Sequence, residues 1–213
     1  VSEALKLYKI QKPVLDKKLA EQGMMSIFTV PWPPQGIYSK KPLNSVADMK
    51  GLKWRAYSPA TAKLAELVNA QPVTIQAAEL SQALATGVID SYISSGSTGF
   101  DSKTYEHVKN WYDTQAWLPK NAVLVNRAAF NALDKATQDG LMKAAADAES
   151  RGWKLSMEKN GWYLDQLKAR GMNIIKPNPQ FSAELKKIGD VMVAEWLKKA
   201  GPEGQAIVDA YRK

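Results

Sequence analysis

"LKWRAYSPATAKLAELVNAQPVTIQAAELSQALATGVIDSYIS" (residues 52–94) repeats one plan: a short apolar run, then an amphipathic stretch, then another apolar run. LKWRAY (52–57) reads as a strand. Ser58-Pro59 supplies an N-cap followed by proline at the first helical position. The helix that follows puts Ala60, Leu64, Leu67 and Val68 on one face. PVTI (72–75) is the next strand, Glu79–Thr86 a second helix closed by Gly87, and VIDSYIS (88–94) a third strand. Strand, helix, strand, helix, strand at this spacing implies right-handed crossovers between parallel strands. The fold class is therefore α/β.

Side chains alternate along a strand, so Leu52, Trp54 and Ala56 share one face and Lys53, Arg55 and Tyr57 the other. Trp54 belongs to a core. Arg55 sits near the carboxyl end of a parallel strand, just before a helix N-terminus, in the crevice where open α/β sheets bind ligands. Helix-terminal N–H groups favour an anion there, and a guanidinium offers a planar fork that matches a carboxylate. The competing reading is an ion pair with Glu79 or Asp90. Those two carboxylates also define an enzyme alternative, an acid/base pair with Arg55 anchoring a substrate carboxylate. A carboxylate that starts a helix, as Glu79 does, needs no such role, because the helix dipole alone favours it.

Working outward, Ser2–Gln11 and Pro13–Gly23 read as two short amphipathic helices. MMSIFTV (24–30) and IYSKKPL (37–43) are extended, separated by the turn-rich PWPPQG. NWYDTQAWL (110–118) and NAVLVN (121–126) are extended too. A helix runs from about Lys135 to Arg170, roughly 50 Å at 1.5 Å per residue, too long for one small domain to cover. MNIIKP (172–177) is a strand, a helix runs from a Ser182 cap to Ala200, and a last short helix follows.

Composition narrows the chemistry. The 213 residues include no cysteine and one histidine, His107, so thiolate nucleophiles, disulfides and the usual zinc or Ser-His-Asp sets are unsupplied. His107 reads as a surface or packing residue, and no cofactor or metal is expected. The net charge of +8 is spread over lysines interleaved with acids, as in VLDKKLAEQ (14–22), which is how solvated helix faces look. No basic run exceeds KK, so no nucleic-acid partner is expected. No apolar run approaches a membrane span, and VSEALKLYKI lacks the apolar core of a leader. Strands flanking the regular unit are too few for a second core, which leads us to expect part of a further domain before Val1.

Residues 40–91, "KKPLNSVADMKGLKWRAYSPATAKLAELVNAQPVTIQAAELSQALATGVIDS", resemble the DctP-type substrate-binding proteins of tripartite ATP-independent periplasmic (TRAP) transporters. The resemblance rests on Lys40-Lys41-Pro42, Ala47–Arg55, Pro72-Val73, Glu79, Ala83-Leu84, Gly87–Asp90 and Tyr105-Glu106-His107-Val108. It implies a two-lobed type II periplasmic-binding fold whose long helix spans both lobes. Lobe I would hold 1–29 and 121–160 and be incomplete at its start; lobe II would hold 30–120 and 161–213. It further implies an exported, periplasmic protein that is no enzyme. Such a protein would capture a small organic acid between its lobes and deliver it to TRAP permease subunits in the membrane. The arginine that grips the ligand carboxylate maps onto Arg55.

The departures from the family pattern also inform. Gln76-Ala77-Ala78 replaces an aromatic ahead of the glutamate, Ser94-Ser95 replaces an asparagine after the GVxD strand, and Trp32-Pro33-Pro34-Gln35 stands where a second arginine is frequent. The expected ligand site is Arg55 with Trp32, Gln35, Tyr57, Ser94, Ser95 and Trp117. Tyr92 is a further aromatic candidate, and each aromatic is equally readable as core. A less cationic, roomier site points to an aromatic or bulky monocarboxylate.

Overall fold

The computed structural model describes residues 2–213. Its contacts divide the chain into two compact units, one of residues 1–32, 118–159 and 199–213, the other of 33–117 and 160–198.

The first unit begins with α1 (Ser2–Glu21), one continuous helix where the sequence suggests two. Pro13 lies inside it on the exposed side, removing one backbone hydrogen bond without ending the helix. Strand β1 (Met24–Pro31) pairs antiparallel with β7 (Lys120–Asn126), with an irregularity between Ser26 and Phe28. Asn126 caps the short α5 (Arg127–Asn131), and α6 (Lys135–Ala169) follows; its residues to 159 belong to this unit and the rest to the other. One carboxylate of α6 ties the parts together. Glu149 Oε2 accepts from the Tyr8 hydroxyl at 2.9 Å and from the Thr29 N–H at 2.8 Å. One turn on, the Trp153 indole donates to the Thr29 carbonyl and stacks on Tyr8 at 5.6 Å.

Residues 199–213, which the sequence reading groups with lobe II, fall in this first unit instead. The reason is visible at the break in α7 (Pro179–Arg212). Gly201 adopts φ 64°, ψ −153°, Pro202 follows, and Glu203 pairs with Lys18 of α1 at 2.8 Å. That break also separates the two C-terminal helices expected from the sequence. The first of them starts earlier than Ser182, because Asn178 provides the cap, its Oδ1 accepting from Phe181 N–H at 2.7 Å.

The second unit is built on a six-stranded mixed sheet, ordered β4 (Gln71–Thr74), β3 (Lys53–Ala56), β5 (Ser91–Ser94), β2 (Gln35–Ser39), β6 (Asn110–Trp117), β8 (Asn173–Ile175). Strand β3 is parallel to both β4 and β5, as the strand–helix alternation requires. Strand β2 is antiparallel to both its neighbours. The crossover helices are α2 (Pro59–Leu67), whose Ser58 Oγ accepts from the Thr61 N–H, and α3 (Leu80–Ala85); α4 (Gly96–Asp101) follows β5. Alternation along the strands supplies a core to each face. Ile37, Trp54, Ala56, Ile93 and Tyr112 pack with Leu64 and Phe181 on one side. Tyr38, Tyr92 and Trp111 pack with Leu80, Leu84 and Leu167 on the other. Gly36 of β2 has no room for a side chain: a Cβ there would lie 2.4 Å from the Tyr112 carbonyl oxygen and 2.5 Å from the Trp111 ring.

Candidate functional site

Trp54 and Ala56 belong to the first of these cores, which turns Arg55 toward the other face, beside its register partner Tyr92. Arg55 is buried, with only 4% of its surface exposed. Its Nε donates to the Ile75 carbonyl at 2.9 Å, and its guanidinium carbon lies 5.0 Å from the centre of the Tyr57 ring. Among the described residues no carboxylate pairs with it. Both expected partners are occupied elsewhere: Glu79 Oε2 accepts from the Gln76 N–H at 3.1 Å, and Asp90 Oδ1 accepts from the Lys53 N–H at 2.9 Å. This overturns the ion-pair reading and leaves the acid/base pair of the enzyme alternative without a basis, since Glu79 serves its own helix start and Asp90 is tied to the first residue of β3. Burial lowers the Arg55 pKa from its ordinary value, while the Tyr92 and Tyr57 phenols act in the opposite direction. The terminal guanidinium nitrogens make no hydrogen bond to the described residues and are not sealed from solvent.

A buried cation without an anion is costly, and the surrounding groups are of the kind that would receive one. Tyr57 lies two residues after Arg55, just past the end of β3, and its hydroxyl donates to Gln35 Oε1 at 2.8 Å. Burial raises the Tyr57 pKa, opposed by the Arg55 charge. Gln35 opens β2, paired with Trp117 of β6 next to a register irregularity, and is 4% exposed. Its neighbour Gly36 pairs with Ser94 at the end of β5. Ser94 is buried, yet its hydroxyl makes no hydrogen bond to the described residues. Ser95 is differently placed: its hydroxyl is 2.7 Å from that of Ser97, and its carbonyl accepts from Tyr38 at 2.8 Å. Thus Arg55, Tyr57, Gln35, Ser94, Ser95 and Trp117 all gather at one end of the second unit's sheet. Trp32 belongs to the first unit, its indole donating to Asn121 Oδ1 at 3.0 Å. Tyr92, bonded to Thr104 at 2.6 Å and stacked on Tyr38 at 4.5 Å, is core.

His107 closes a short 3-10 turn after Glu106, and among the described residues no cluster of His, Asp or Glu is arranged to hold a metal. No helix of the described residues is long and apolar enough to cross a membrane.

Residues 9–199 match the family described as bacterial extracellular solute-binding protein, family 7, the DctP family. The chain belongs to this family. Among solved structures, one similar to this DctP-family chain is DctP6 of Bordetella pertussis, an extracytoplasmic solute receptor binding pyroglutamic acid. It is 64% identical with a TM-score of 0.98, over 99% of this chain and 70% of that one. A TRAP solute-binding protein from a marine metagenome, specific for pyroglutamate and solved with that acid co-purified, is 44% identical with a TM-score of 0.96. That match covers 99% of this chain and 69% of the other. Among curated relatives, the 2,3-diketo-L-gulonate-binding periplasmic protein YiaO of Escherichia coli (strain K12) is 28% identical over 138 residues. The matched stretch spans 64% of this chain and 42% of YiaO. The DctP-family chain thus spans about two-fifths of this curated relative and shares its α/β fold with the TRAP solute-binding proteins.

Proposed function

We propose that this chain is a periplasmic TRAP solute receptor that captures a small monocarboxylate and presents it to a membrane permease. Arg55 grips the carboxylate. The observation that carries this reading is the buried, unpaired Arg55 guanidinium, whose terminal nitrogens are free for a bidentate pair. The two compact units are proposed to be the two lobes of the receptor. The relatives are solute-binding proteins, and with Glu79 and Asp90 held by backbone N–H groups the function is binding, not turnover.

For the ligand we propose a pyroglutamate-like ring acid in place of the bulky or aromatic acid suggested by the sequence. Tyr57, whose ring centre lies 5.0 Å from the Arg55 guanidinium carbon, is engaged with Gln35, so it lines the site but does not open it for a large ring. Two similar receptors bind pyroglutamate. Calorimetry and thermal melts test the proposal. Pyroglutamate at 100 times its Kd should stabilise the protein by about 2.7 kcal/mol, a rise in Tm of roughly 5–11 °C. A melt that ignores pyroglutamate and a panel of other small organic acids would sink the receptor reading.

A further inference from the structure

We infer that Gln35, held in one orientation by Tyr57, is the specificity-determining residue of this site: its Nε2 donates to a neutral acceptor oxygen on the ligand ring. The inference rests on the receptor reading above, with Arg55 holding the carboxylate.

The orientation follows from the polarity of one hydrogen bond. The Tyr57 hydroxyl carries a single proton, and that proton needs an acceptor. Arg55, its other polar neighbour, has none to offer. The Gln35 carbonyl, 2.8 Å away, is the acceptor. An amide pinned by its oxygen presents its NH2 on the other side. That Nε2 makes no hydrogen bond to the described residues and is not sealed from solvent, although Gln35 is 96% buried.

The groups of this cluster left without a partner among the described residues are then the Arg55 terminal nitrogens, Gln35 Nε2 and the Ser94 hydroxyl, with no carboxylate among them. Such a site offers donors only, apart from the versatile serine. It suits a carboxylate joined to a neutral C=O, as in a lactam acid. A free α-ammonium would meet a guanidinium and an amide NH2, so amino acids are rejected by repulsion and lost solvation.

Calorimetry on the whole chain, with L-pyroglutamate, cyclopentanecarboxylate and L-proline as ligands, tests this. Cyclopentanecarboxylate keeps the five-membered ring and the carboxylate but lacks the ring oxygen. The wild type should bind pyroglutamate at least about tenfold more tightly than cyclopentanecarboxylate, the effect of one buried hydrogen bond and its unpaired donor. L-proline should not bind measurably. Gln35→Leu should bring the ratio close to one while leaving cyclopentanecarboxylate binding within about threefold. Tyr57→Phe, which frees the amide to turn, should lower the same ratio without abolishing it. A parallel loss of both ring acids, or an unchanged ratio in both variants, overturns the role of Gln35. A wild type that binds neither acid overturns the receptor reading itself, and this inference with it.

Discussion

Arg55 carries the heaviest energetic burden of any side chain at the site. A guanidinium taken out of water with one carbonyl and one aromatic face for company is destabilising in the unliganded protein. Arg55→Met should therefore leave the unliganded fold intact, neutral to about 2 kcal/mol more stable. Its melt without ligand should match or exceed the wild type, while calorimetry with pyroglutamate shows no binding. A strongly destabilised Arg55→Met would mean that the guanidinium holds the fold together. Arg55→Lys keeps the charge but loses the planar fork, and it should weaken binding by about 10–100-fold. Alternation alone reveals the direction of Arg55, because Trp54 must go to the core. The link between Tyr57 and Gln35 is not legible that way. The two lie 22 positions apart and meet only because β2 enters the sheet beside β5.

At the scale of elements, local signals read well and long-range ones do not. The β3–α2–β4–α3–β5 succession is written in caps and periodicity, each within a few residues, and the parallel pairing follows from it. The placement of β2 between β5 and β6 has no local signature, since its partners lie more than 50 residues away. Proline was a misleading signal in α1. Pro13 resembles a helix start, yet the chain before it is already helical and continues through. Because Pro13 is exposed, its replacement removes little packing and restores one backbone hydrogen bond. Pro13→Ala should thus stabilise the protein by about 1–3 kcal/mol, a rise in Tm of roughly 2–12 °C in a thermal melt. An unchanged Tm would mean that α1 gains nothing from the restored bond at this position. In β2 the reverse holds. Gly36→Ala drives a Cβ into the Tyr112 carbonyl and the Trp111 ring, backbone and a buried side chain that cannot yield cheaply. It should cost about 2–4 kcal/mol, read as a lower urea midpoint.

Across the whole molecule, each unit has its own acid-sensitive ties. In the first, Glu203 is lowered by its bond and ion pair with Lys18, and Asp134 by the Thr137 side chain and N–H. In the second, Asp48 is lowered by the Asn44 and Ser45 N–H groups, and Glu184 by Gln180 and the Val46 N–H. The Lys18–Glu203 pair also explains why the grouping of the last helix escaped sequence reading, for its two ends are far apart in the chain. All four folded-state pKa values lie below the ordinary 3.8 of Asp or 4.5 of Glu. The unfolded chain therefore binds more protons than the folded one in this window, and stability rises with pH through it. Read downward, the contribution is complete above about pH 5 and is lost as pH falls through the folded-state values. Thermal melts from pH 6 to pH 3 should show a Tm that is flat at first and then declines below about pH 4.5. Glu203→Gln, which cannot titrate, should lower the plateau slightly and make the decline shallower. A decline of equal steepness in that variant would remove Glu203 from the account and place the acid sensitivity with Asp134, Asp48 and Glu184.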